Sequence, residues 1–386
     1  MISPVAVSHV VGSMDVRVGG VARFISDLIP CLADQNTTSD LYTFGYPVKD
    51  HWSGASVLDH VRYYETFSGA LGISFNAISS LRENFKKCHV VHNHGLWIWA
   101  NYCAVACSNL VSQKIIFSTH GLLEPWALRH HLFRKKIFWN LWQRRHLSLA
   151  AAIHATSLQE HESLRSLGVK NPIAVIPIGI TAGARSLEAQ STAGRKTLLF
   201  LSRIDSKKGL ERLFLIWKKH IQRFLGWELI IAGDGARSYV DGLKRKAAEL
   251  GIQDRIHWVG FVQGEEKTKL FKQASIYILP TFSENFGIAI GEALAQGVPV
   301  ITTNGTPWSD LASERCGWYA ENNELAIEQA MLSAMATPPT ILKEMGERGR
   351  ALIERKYAWP EIAKKMADTY RWMLKMGDRP DCVRLD

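Results

Sequence analysis

Short apolar runs rich in β-branched residues alternate along the whole chain with segments of helix length. This alternation predicts parallel sheets covered by helices. The predicted strands are Val5–Val10, His89–His92, Ile115–Ser118, Ala152–Thr156, Ile173–Pro177, Thr197–Leu201, Leu229–Ala232, Ile256–Val259, Ile276–Leu279 and Val300–Thr302. The predicted helices include Val21–Ala33, Leu158–Leu167, Tyr239–Leu250, Gly287–Ala295 and a closing helix over about Trp359–Met376.

Ten strands are more than one open sheet usually contains. The pattern therefore predicts an α/β protein with two Rossmann-like domains. Residues 179–195 are rich in Ala, Ser, Thr and Gly without clear periodicity, which indicates a linker. The expected domains are therefore 1–178, joined by the returning C-terminal helix at about 359–386, and 196–358. In such sheets, ligands bind beyond the carboxyl ends of the strands.

Composition narrows the class of protein. The chain has 386 residues, 47% hydrophobic and 21% charged, which is typical of a globular protein rather than a disordered or fibrous one. The six cysteines are scattered and indicate a reducing compartment, not a disulfide framework. No apolar run approaches the roughly 20 residues of a membrane-spanning helix, and the start lacks a basic leader. A soluble, cytoplasmic protein is expected, whereas the oligomeric state is left open.

The positive charge is concentrated in one part of the chain. Lys and Arg number 46 against 36 Asp and Glu, a formal net charge of +10. Between Pro125 and Gln159 there is no acidic residue, and aromatic residues are interleaved with basic ones. Such a stretch, here residues 129–146, suits peripheral contact with anionic lipid at the inner face of the cytoplasmic membrane. An ordinary surface helix with a core-facing apolar stripe explains the pattern equally well.

Two features at predicted strand ends suit an anion. Gly19 and Gly20 precede a helix, where glycine permits close backbone approach and the helix N-terminus favours negative charge. The spacing is not a dinucleotide fingerprint, so an NAD site is not indicated. Arg203 and Lys208 follow a buried strand, and two cations placed there suit a diphosphate. Taken alone, each feature is also explained by a loop without a ligand.

The segment from Ile276 to Thr303 combines two kinds of recognition. A strand is followed by a loop with Glu284 and Asn285 and then by a helix that carries Glu292. The N-terminus of a helix has unpaired N–H groups that suit phosphate. Carboxylates cannot hold phosphate, but they accept hydrogen bonds from sugar hydroxyls. The combination predicts a site for a sugar nucleotide.

These motifs carry a family resemblance. The segment Glu284 to Glu292, with Ala-Leu-Ala-Gln-Gly-Val-Pro-Val after it, resembles the E-x7-E motif of retaining GT-B glycosyltransferases of glycosyltransferase family 4. The chain resembles the family also in Phe200-Leu-Ser-Arg203, Lys208-Gly209, Gly233-Asp-Gly235, Gly19-Gly20-Val-Ala-Arg23 and the helix at Tyr357 and Trp359. His120 to Leu128 resembles the H-G-M-L-x-P-W-A-L segment of bacterial exopolysaccharide and surface-polysaccharide transferases, with Leu in place of Met.

The resemblance covers nearly the whole chain and implies a GT-B architecture, two Rossmann-like domains facing across a cleft. It implies that Arg203 and Lys208 grip the donor pyrophosphate. Glu292 then binds the ribose and Glu284 the hexose. His120 matches the active-site histidine near the transferred sugar. The other implied donor contacts are Gly19, Gly20, Val259, Gly260, Phe261, Asn285, Phe286 and Gly287. His94 and Trp97, with His92, belong to a loop that lines the acceptor site or simply packs locally.

The implied reaction is retaining transfer of a hexose, with UDP-glucose as the favoured donor, to a saccharide or lipid-linked oligosaccharide in polysaccharide biosynthesis. The resemblance implies front-face chemistry, in which the departing phosphate deprotonates the acceptor. No D-x-D carboxylate pair occurs, so we expect no metal and no cofactor beyond the nucleotide sugar. Other readings are a non-hydrolysing UDP-sugar epimerase, a non-catalytic sugar-nucleotide-binding protein and, from the pI of about 9.3, a nucleic-acid-binding protein. No nucleic-acid-binding module is recognisable, so no nucleic-acid partner is expected.

Overall fold

The chain folds into two compact units. The computed structural model describes residues 3–15, 20–45, 61–66, 72–74, 76–129, 132–182 and 196–386. The first unit comprises Met1–Gly179 with Trp359–Asp386, and the second comprises Ile180–Ala358. Most of the predicted linker at 179–195 lies outside the described residues.

Strands and helices alternate in both units. The strands are β1 (Val5–Val11), β2 (Thr37–Phe44), β3 (Val61–Tyr64), β4 (Val90–His94), β5 (Lys114–Ser118), β6 (Ala152–Ala155), β7 (Ile173–Val175), β8 (Lys196–Leu201), β9 (Trp227–Ala232), β10 (Ile256–Gly260), β11 (Ile276–Leu279), β12 (Val300–Thr303), β13 (Gly317–Ala320) and β14 (Val383–Arg384). The α-helices are α1 (Gly20–Ala33), α2 (Ala77–Phe85), α3 (Trp99–Leu110), α4 (Pro125–Arg129), α5 (Leu132–Phe138), α6 (Arg144–Ser148), α7 (Leu158–Ser166), α8 (Leu210–Lys219), α9 (Arg237–Glu249), α10 (Gly264–Gln273), α11 (Ile288–Ala295), α12 (Asp310–Ser313), α13 (Glu324–Ala336), α14 (Pro339–Leu352) and α15 (Trp359–Met373). Short 3-10 turns span Ser206–Lys208 and Gln253–Arg255, and π-turns span Trp139–Gln143 and Ile353–Tyr357.

Each unit contains one sheet with the strand order of a Rossmann fold. In the first unit the order is β14-β7-β6-β5-β4-β1-β2-β3, with β14 alone antiparallel among the described strands. In the second unit it is β10-β9-β8-β11-β12-β13, all parallel. The strand order reverses between β1 and β4 in the first sheet and between β8 and β11 in the second. Ligands bind at such reversals, and the predicted α/β class with two Rossmann-like units is confirmed.

Four strands were not predicted, and their composition explains the omission. β2 begins with the polar run Thr-Thr-Ser-Asp, and β3, β13 and β14 lie at or near sheet edges, where fewer positions are buried. Partial exposure removes the continuous apolar run by which a buried parallel strand is recognised. The ten predicted strands all occur, with ends shifted by at most two residues.

Strand register gathers polar residues on one face of the first sheet. His9 of β1 is paired with His92 of β4, and His94 is paired with Ser118 of β5, which is paired with His154 of β6. Side chains alternate between faces along a strand, and neighbours in register share a face. These five side chains are therefore on one face, and all are at most 1% exposed. Such a face is normally aliphatic in a parallel sheet.

The closing helix α15 packs over the first unit. Its buried residues Trp359, Ile362, Met366, Tyr370 and Met373 recur at helical spacing. The ring of Trp359 lies 5.9 Å from that of Phe24 in α1, and Tyr370 Oη is 2.6 Å from Nδ1 of His92. The two helices thus cover the polar face of the first sheet.

The basic, aromatic segment is helical throughout its described part, and a π-helical turn interrupts the regular α-helix. α4, α5, a π-turn and α6 follow one another between Pro125 and Ser148. Two large apolar side chains in it, Ile137 and Leu141, are 42% and 66% exposed. In the described part of the chain, no helix combines the length and the apolar character needed to cross a bilayer.

Candidate active site

In the second unit, two segments at the reversal of strand order are bound together through their backbones. The carbonyl oxygen of Lys207, after β8, accepts hydrogen bonds from Phe282 N at 2.8 Å and Thr281 Oγ1 at 3.0 Å, after β11. Gly209 has a φ of 74°, and a Cβ there would lie 2.1 Å from the carbonyl oxygen of Pro280. Only glycine combines this φ with so close an approach. The turn that carries Lys208 is therefore fixed against the loop that carries Glu284.

This contact forms a buried ion pair between two predicted site residues. Lys208 Nζ donates to Glu284 Oε1, and both side chains are largely buried. Burial, followed by the charges of Lys207 and Arg203, lowers the pKa of Lys208 to about 7. Arg203 itself is exposed and has no hydrogen-bond or ion-pair partner among the described residues. An unpaired guanidinium beside a lysine is suited to binding an anion that bridges them.

The loop before α11 presents free backbone donors. Phe286 is fixed because its ring packs 5.2 Å from that of Trp308, and Trp308 Nε1 donates to its carbonyl oxygen at 2.5 Å. Gly287 follows with a φ of 80° and caps α11. Within the described ranges, the amides of Phe286, Gly287 and Ile288 donate no hydrogen bond. Asn285, also predicted, lies half-buried in the same loop.

Glu292 has a partner that the sequence analysis missed. Its carboxylate, in the middle of α11, accepts from Lys267 Nζ of α10, with Nζ 2.7 Å from Oε1 and 2.5 Å from Oε2. Both side chains are about one quarter exposed, whereas Glu292 Oε2 is enclosed and accepts no hydrogen bond within the described residues. No local pattern in α10 distinguishes Lys267 from the other lysines of that helix.

The predicted nucleobase loop is an exposed apolar surface. Val259 and Phe261 are 40% and 51% exposed, and Gly260 lies between them with a φ of 84°. The carbonyl oxygen of Gly260 accepts from Gly233 N at 2.7 Å, so the loop is bound to the end of β9. An exposed aromatic ring such as that of Phe261 can stack against a base without selecting among bases.

The predicted glycine pair is only partly described. Gly19 lies outside the described residues, and Gly20 is the exposed first residue of α1. Gly20 therefore lies at a helix N-terminus, as the sequence predicts for that position.

In the first unit, a buried carboxylate holds the backbone on both sides of His120. Glu160 of α7 is 1% exposed and accepts four hydrogen bonds, from Thr119 Oγ1 at 2.6 Å, Gly121 N at 2.5 Å, Thr156 N at 2.7 Å and Thr156 Oγ1 at 2.9 Å. His120 itself has a φ of 49°, which is uncommon for a residue with a side chain. The turn is thus held in a strained conformation by its neighbours.

The residues expected in an acceptor loop are placed differently. His92 and His94 are in β4, not in a loop, and are 0% and 1% exposed. His94 therefore cannot contact an acceptor directly, and the expectation of an acceptor-lining role is corrected. Trp97 does follow the strand in a turn, with a φ of 76°, and its ring packs 6.3 Å from that of Trp139. Trp97 remains partly exposed.

His120 is the outer member of a row of hydrogen-bonded imidazoles. His120 Nε2 lies 3.3 Å from His94 Nδ1, and His94 Nε2 lies 3.0 Å from His9 Nδ1. Burial lowers the pKa of His9 to about 3, and burial, followed by His154, lowers the pKa of His120 to about 3. Burial, followed by the neighbouring histidines, holds the pKa of His94 well below its ordinary value. All three rings are therefore neutral at physiological pH.

His9 and His94, together with the neighbouring His92, also lie close enough together to suggest a metal site. Among the described residues, His9, His92 and His94 form the group whose ring nitrogens approach one another within 4.8 Å. A metal ion must lie in the plane of each imidazole that ligates it. The rings of His92 and His94 instead stack face to face, with centroids 4.0 Å apart and planes 27° apart. This group is thus arranged for stacking and hydrogen bonding rather than for ligation.

Several residues of this arrangement were missed by the sequence analysis. Ser157 and Glu160 match the S-x-x-E pattern of a capping box, and Ser157 Oγ does accept from Glu160 N at 3.1 Å. The carboxylate, however, binds the His120 turn instead of the helix end. His9, His154 and Tyr370 have no local signal, because only strand register and the packing of α15 bring them to His94, Ser118 and His92 respectively.

Comparisons with known proteins identify the family of the chain. A family model described as "Glycosyl transferases group 1" matches residues 187–352, and one described as "Glycosyltransferase Family 4" matches residues 18–182. The GDP-mannose:cellobiosyl-diphosphopolyprenol alpha-mannosyltransferase of Xanthomonas oryzae pv. oryzae is 25% identical over 307 residues, which are 79% of this chain and 80% of that protein.

Solved structures show the same fold. HepE of Anabaena, in complex with UDP-glucose, has a TM-score of 0.74 at 16% identity and covers 94% of this chain and 98% of its own. A glycosyltransferase from Rickettsia africae has a TM-score of 0.74 at 20% identity and covers 97% of this chain and 100% of its own. Since the two family matches together extend over most of both units, the chain belongs to glycosyltransferase family 4 and is a glycosyltransferase of the GT-B type.

Proposed function

We propose that the protein is a retaining hexosyltransferase that moves a hexose from a nucleoside diphosphate sugar to a lipid-linked saccharide. The observation that carries the proposal is the Lys208–Glu284 ion pair beside the unpaired Arg203. It brings a diphosphate-binding cation and a hydroxyl-binding carboxylate together, although they are 76 residues apart in the chain.

The proposed chemistry follows from these charges. Departure of the nucleoside diphosphate places negative charge on the β-phosphate. Arg203, Lys208 and the free amides before α11 stabilise that charge where it develops. The departing phosphate then deprotonates the acceptor on the same face of the sugar, and Glu284 orients the hexose without becoming glycosylated. The reaction needs no metal. A trapped glycosyl-enzyme on Glu284 would contradict this mechanism.

We take UDP-glucose as the donor, as the sequence resemblance favours, and GDP-mannose as the second candidate. HepE binds UDP-glucose in its crystal structure, which supports the first. The name of the Xanthomonas relative specifies GDP-mannose, which supports the second. The exposed Val259–Phe261 loop accommodates either base.

A lipid-linked acceptor is supported by the surface of the basic segment. The same relative is named for a diphosphopolyprenol acceptor. In this chain Lys136, Arg144 and Arg145 are exposed alongside Ile137 and Leu141. Basic side chains next to exposed apolar ones suit an anionic bilayer surface, with each charge contributing about 1 kcal/mol.

The first test is calorimetric titration with UDP, GDP, ADP, UDP-glucose and GDP-mannose, with EDTA present throughout. We expect micromolar binding of one diphosphate and its sugar, and loss of binding in the Arg203→Ala/Lys208→Ala double variant. The matched control is Lys269→Ala, an exposed lysine of α10 outside the site, which should bind normally. If no nucleotide binds, the proposal fails.

The second test separates transfer from other reactions of a nucleotide sugar. Incubation with donor and a polyprenol-diphosphate-linked disaccharide should produce a lengthened lipid-linked product whose new linkage keeps the donor's anomeric configuration. Isomerisation of the nucleotide sugar without acceptor would identify an epimerase instead. Binding without any turnover across a panel of acceptors would favour a non-catalytic sugar-nucleotide-binding protein.

The third test concerns the membrane. Co-sedimentation with vesicles containing phosphatidylglycerol should be strong for the natural protein and weak for Lys136→Gln/Arg144→Gln/Arg145→Gln. A variant that removes three exposed charges elsewhere, Arg245→Gln/Lys269→Gln/Arg379→Gln, controls for net charge. Equal loss in both variants would show a general charge effect and not a docking surface.

A further inference from the structure

Two hydrogen-bonded rows of side chains run through the buried face of the first sheet. One row is Tyr370, His92, Ser118 and His154, ending at the carbonyl oxygen of Ile176. The other, which we call the histidine ribbon, is His9, His94 and His120. The direction of the hydrogen bonds in each row follows from the hydrogen-bonding groups at its ends.

The first row has a fixed direction. A carbonyl oxygen only accepts, so His154 donates to Ile176 through Nε2, 2.7 Å away. Because the ring is neutral, its Nδ1 is bare and accepts from the hydroxyl of Ser118 at 2.6 Å. Ser118 Oγ then accepts from His92 Nε2 at 2.6 Å, and His92 Nδ1 accepts from Tyr370 at 2.6 Å. His92 and His154 therefore carry their protons on Nε2.

The histidine ribbon is nearly flat and in line. The ring planes of His9 and His94 differ by 17°, and those of His94 and His120 by 22°. The centroid separations are 5.3 and 5.5 Å, as expected when rings meet edge to edge through one hydrogen bond. Each neutral ring carries one proton, so the ribbon has only two consistent states. Either all three protons are on Nδ1, or all three are on Nε2.

The inner end of the ribbon decides between these states. His9 Nε2 is buried and has no hydrogen-bond partner in the part of the chain described. A proton there would be an enclosed donor without an acceptor, and orphaned N–H groups are rarer in folded proteins than bare acceptors. At the outer end, His120 is partly exposed and its Nδ1 is not among the enclosed, unsatisfied nitrogens. A proton at that position is not enclosed without a partner, unlike one on His9 Nε2.

We propose that the ribbon holds His120 with its proton on Nδ1, so that His120 offers a hydrogen-bond donor to an oxygen of the transferred sugar. His94 and His9 are then positioning residues: His94 donates through Nδ1 to His120 Nε2, and His9 does the same to His94. This inference rests on the proposed function, in which His120 contacts the sugar. Glu160 fixes the backbone of the same turn, and the ribbon fixes the ring.

The direct test is nitrogen NMR of the natural protein with histidines labelled at both ring nitrogens, without substrate. Protonated and bare ring nitrogens have well-separated shifts, and an unconstrained histidine favours Nε2–H. We expect His9, His94 and His120 to be protonated on Nδ1, and His92 and His154 on Nε2 as internal references. A bare Nδ1 in His120 overturns the inference. Nucleotide titration is unaffected by this result, so failure of the inference and failure of the proposed function are distinguishable.

Variants of His94 test the positioning role. His94→Leu removes the donor to His120, so His120 should return to Nε2–H and kcat should fall about tenfold, the loss of roughly one hydrogen bond. His94→Asn places an amide N–H near the position of Nδ1 and should restore both the tautomer and most of the rate. If Leu is tolerated as well as Asn, His94 is only a packing residue.

A matched control is His92→Leu. His92 is equally buried and stacks on His94, but it belongs to the first row and not to the ribbon. This variant should lose stability while His120 keeps its proton on Nδ1. A changed tautomer in this variant would show that general repacking, and not the ribbon, sets the state of His120.

Discussion

The two units differ in the burial and charge of the polar groups at the reversal of strand order. At the reversal of strand order in the first unit, the side chains are neutral imidazoles, hydroxyls and one fully hydrogen-bonded carboxylate, almost all enclosed. At the corresponding place in the second unit, Arg203 is exposed and unpaired among the described residues, and Lys208 lies beside two other cations. The first sheet end holds enclosed, neutral side chains in fixed positions, whereas the second sheet end presents an exposed cation.

The difference follows from the free-energy cost of burying a polar group. A buried polar group must be hydrogen-bonded, or its lost hydration is uncompensated. The first unit pairs most nitrogens of its buried histidines with one another, with Ser118, with Tyr370 and with the carbonyl oxygen of Ile176, and keeps the rings uncharged. The second unit leaves a cation without an internal partner, which is tolerable only because it is exposed. We therefore expect changes to the enclosed polar groups of the first unit to reduce stability, with His94 affecting the rate as well, and changes to the exposed cation of the second unit to reduce function.

The largest effect is expected from Arg203→Ala. Loss of a group that stabilises charge on the leaving phosphate should lower the transfer rate by roughly 10²–10³. Thermal unfolding should barely change, by less than about 0.5 kcal/mol, because the side chain is exposed and has no hydrogen-bond or ion-pair partner among the described residues. Rate and melting temperature measured on the same preparation, with Lys269→Ala alongside, check both expectations. A large loss of stability would mean that Arg203 has a structural role.

The next effect is expected from Glu160→Gln in the first unit. The amide replaces one acceptor oxygen with a donor, so at least one of the four groups that now donate to Glu160 loses its partner. We expect a loss of about 1–3 kcal/mol in the free energy of unfolding. Urea denaturation measures it, with Glu162→Gln, an exposed residue of the same helix, as the control. Equal stability of the two variants would contradict the role assigned to Glu160.

Proton uptake on donor binding tests the charge state of Lys208 in the second unit. Burial lowers the pKa of Lys208 to about 7, whereas its contact with Glu284 favours the charged form. A bound diphosphate favours the charged form further and raises this pKa, so binding of UDP-glucose should take up protons at pH 8 and fewer at pH 6. Titrations in buffers of different ionisation enthalpy measure the uptake. Lys208→Arg, always charged, should abolish it. Zero uptake in the natural protein would show that Glu284 keeps Lys208 charged beforehand.

The smallest effect is expected from Tyr370→Phe. Burial raises the pKa of Tyr370 well above its usual range, so the hydroxyl remains protonated and donates to His92. Its loss leaves one buried acceptor unpaired and should cost about 1 kcal/mol. Thermal unfolding beside Tyr102→Phe, a tyrosine 37% exposed on α3, gives the comparison. No difference between the two would indicate that the row ending at Ile176 adds nothing measurable to stability.

Only part of the candidate site was predicted from the sequence. Arg203, Lys208, Glu284 and Glu292 were identified because their motifs are contiguous and follow recognisable strands. Lys267 was missed because it reaches Glu292 from another helix, through a contact that no local pattern encodes. His94 was assigned to a loop because the predicted strand ended at His92, two residues short of the observed end.

The sequence by itself determined the alternation of buried strands and amphipathic helices, and with it two Rossmann-like units and the strand ends at which a ligand is expected. These depend on local periodicity and on short motifs. The tertiary structure decided which side chains meet: strand register placed four histidines on one face, helix α15 closed over them, and a backbone contact joined Lys208 to Glu284. Such contacts depend on register and on packing between distant segments, which the local order of residues does not specify.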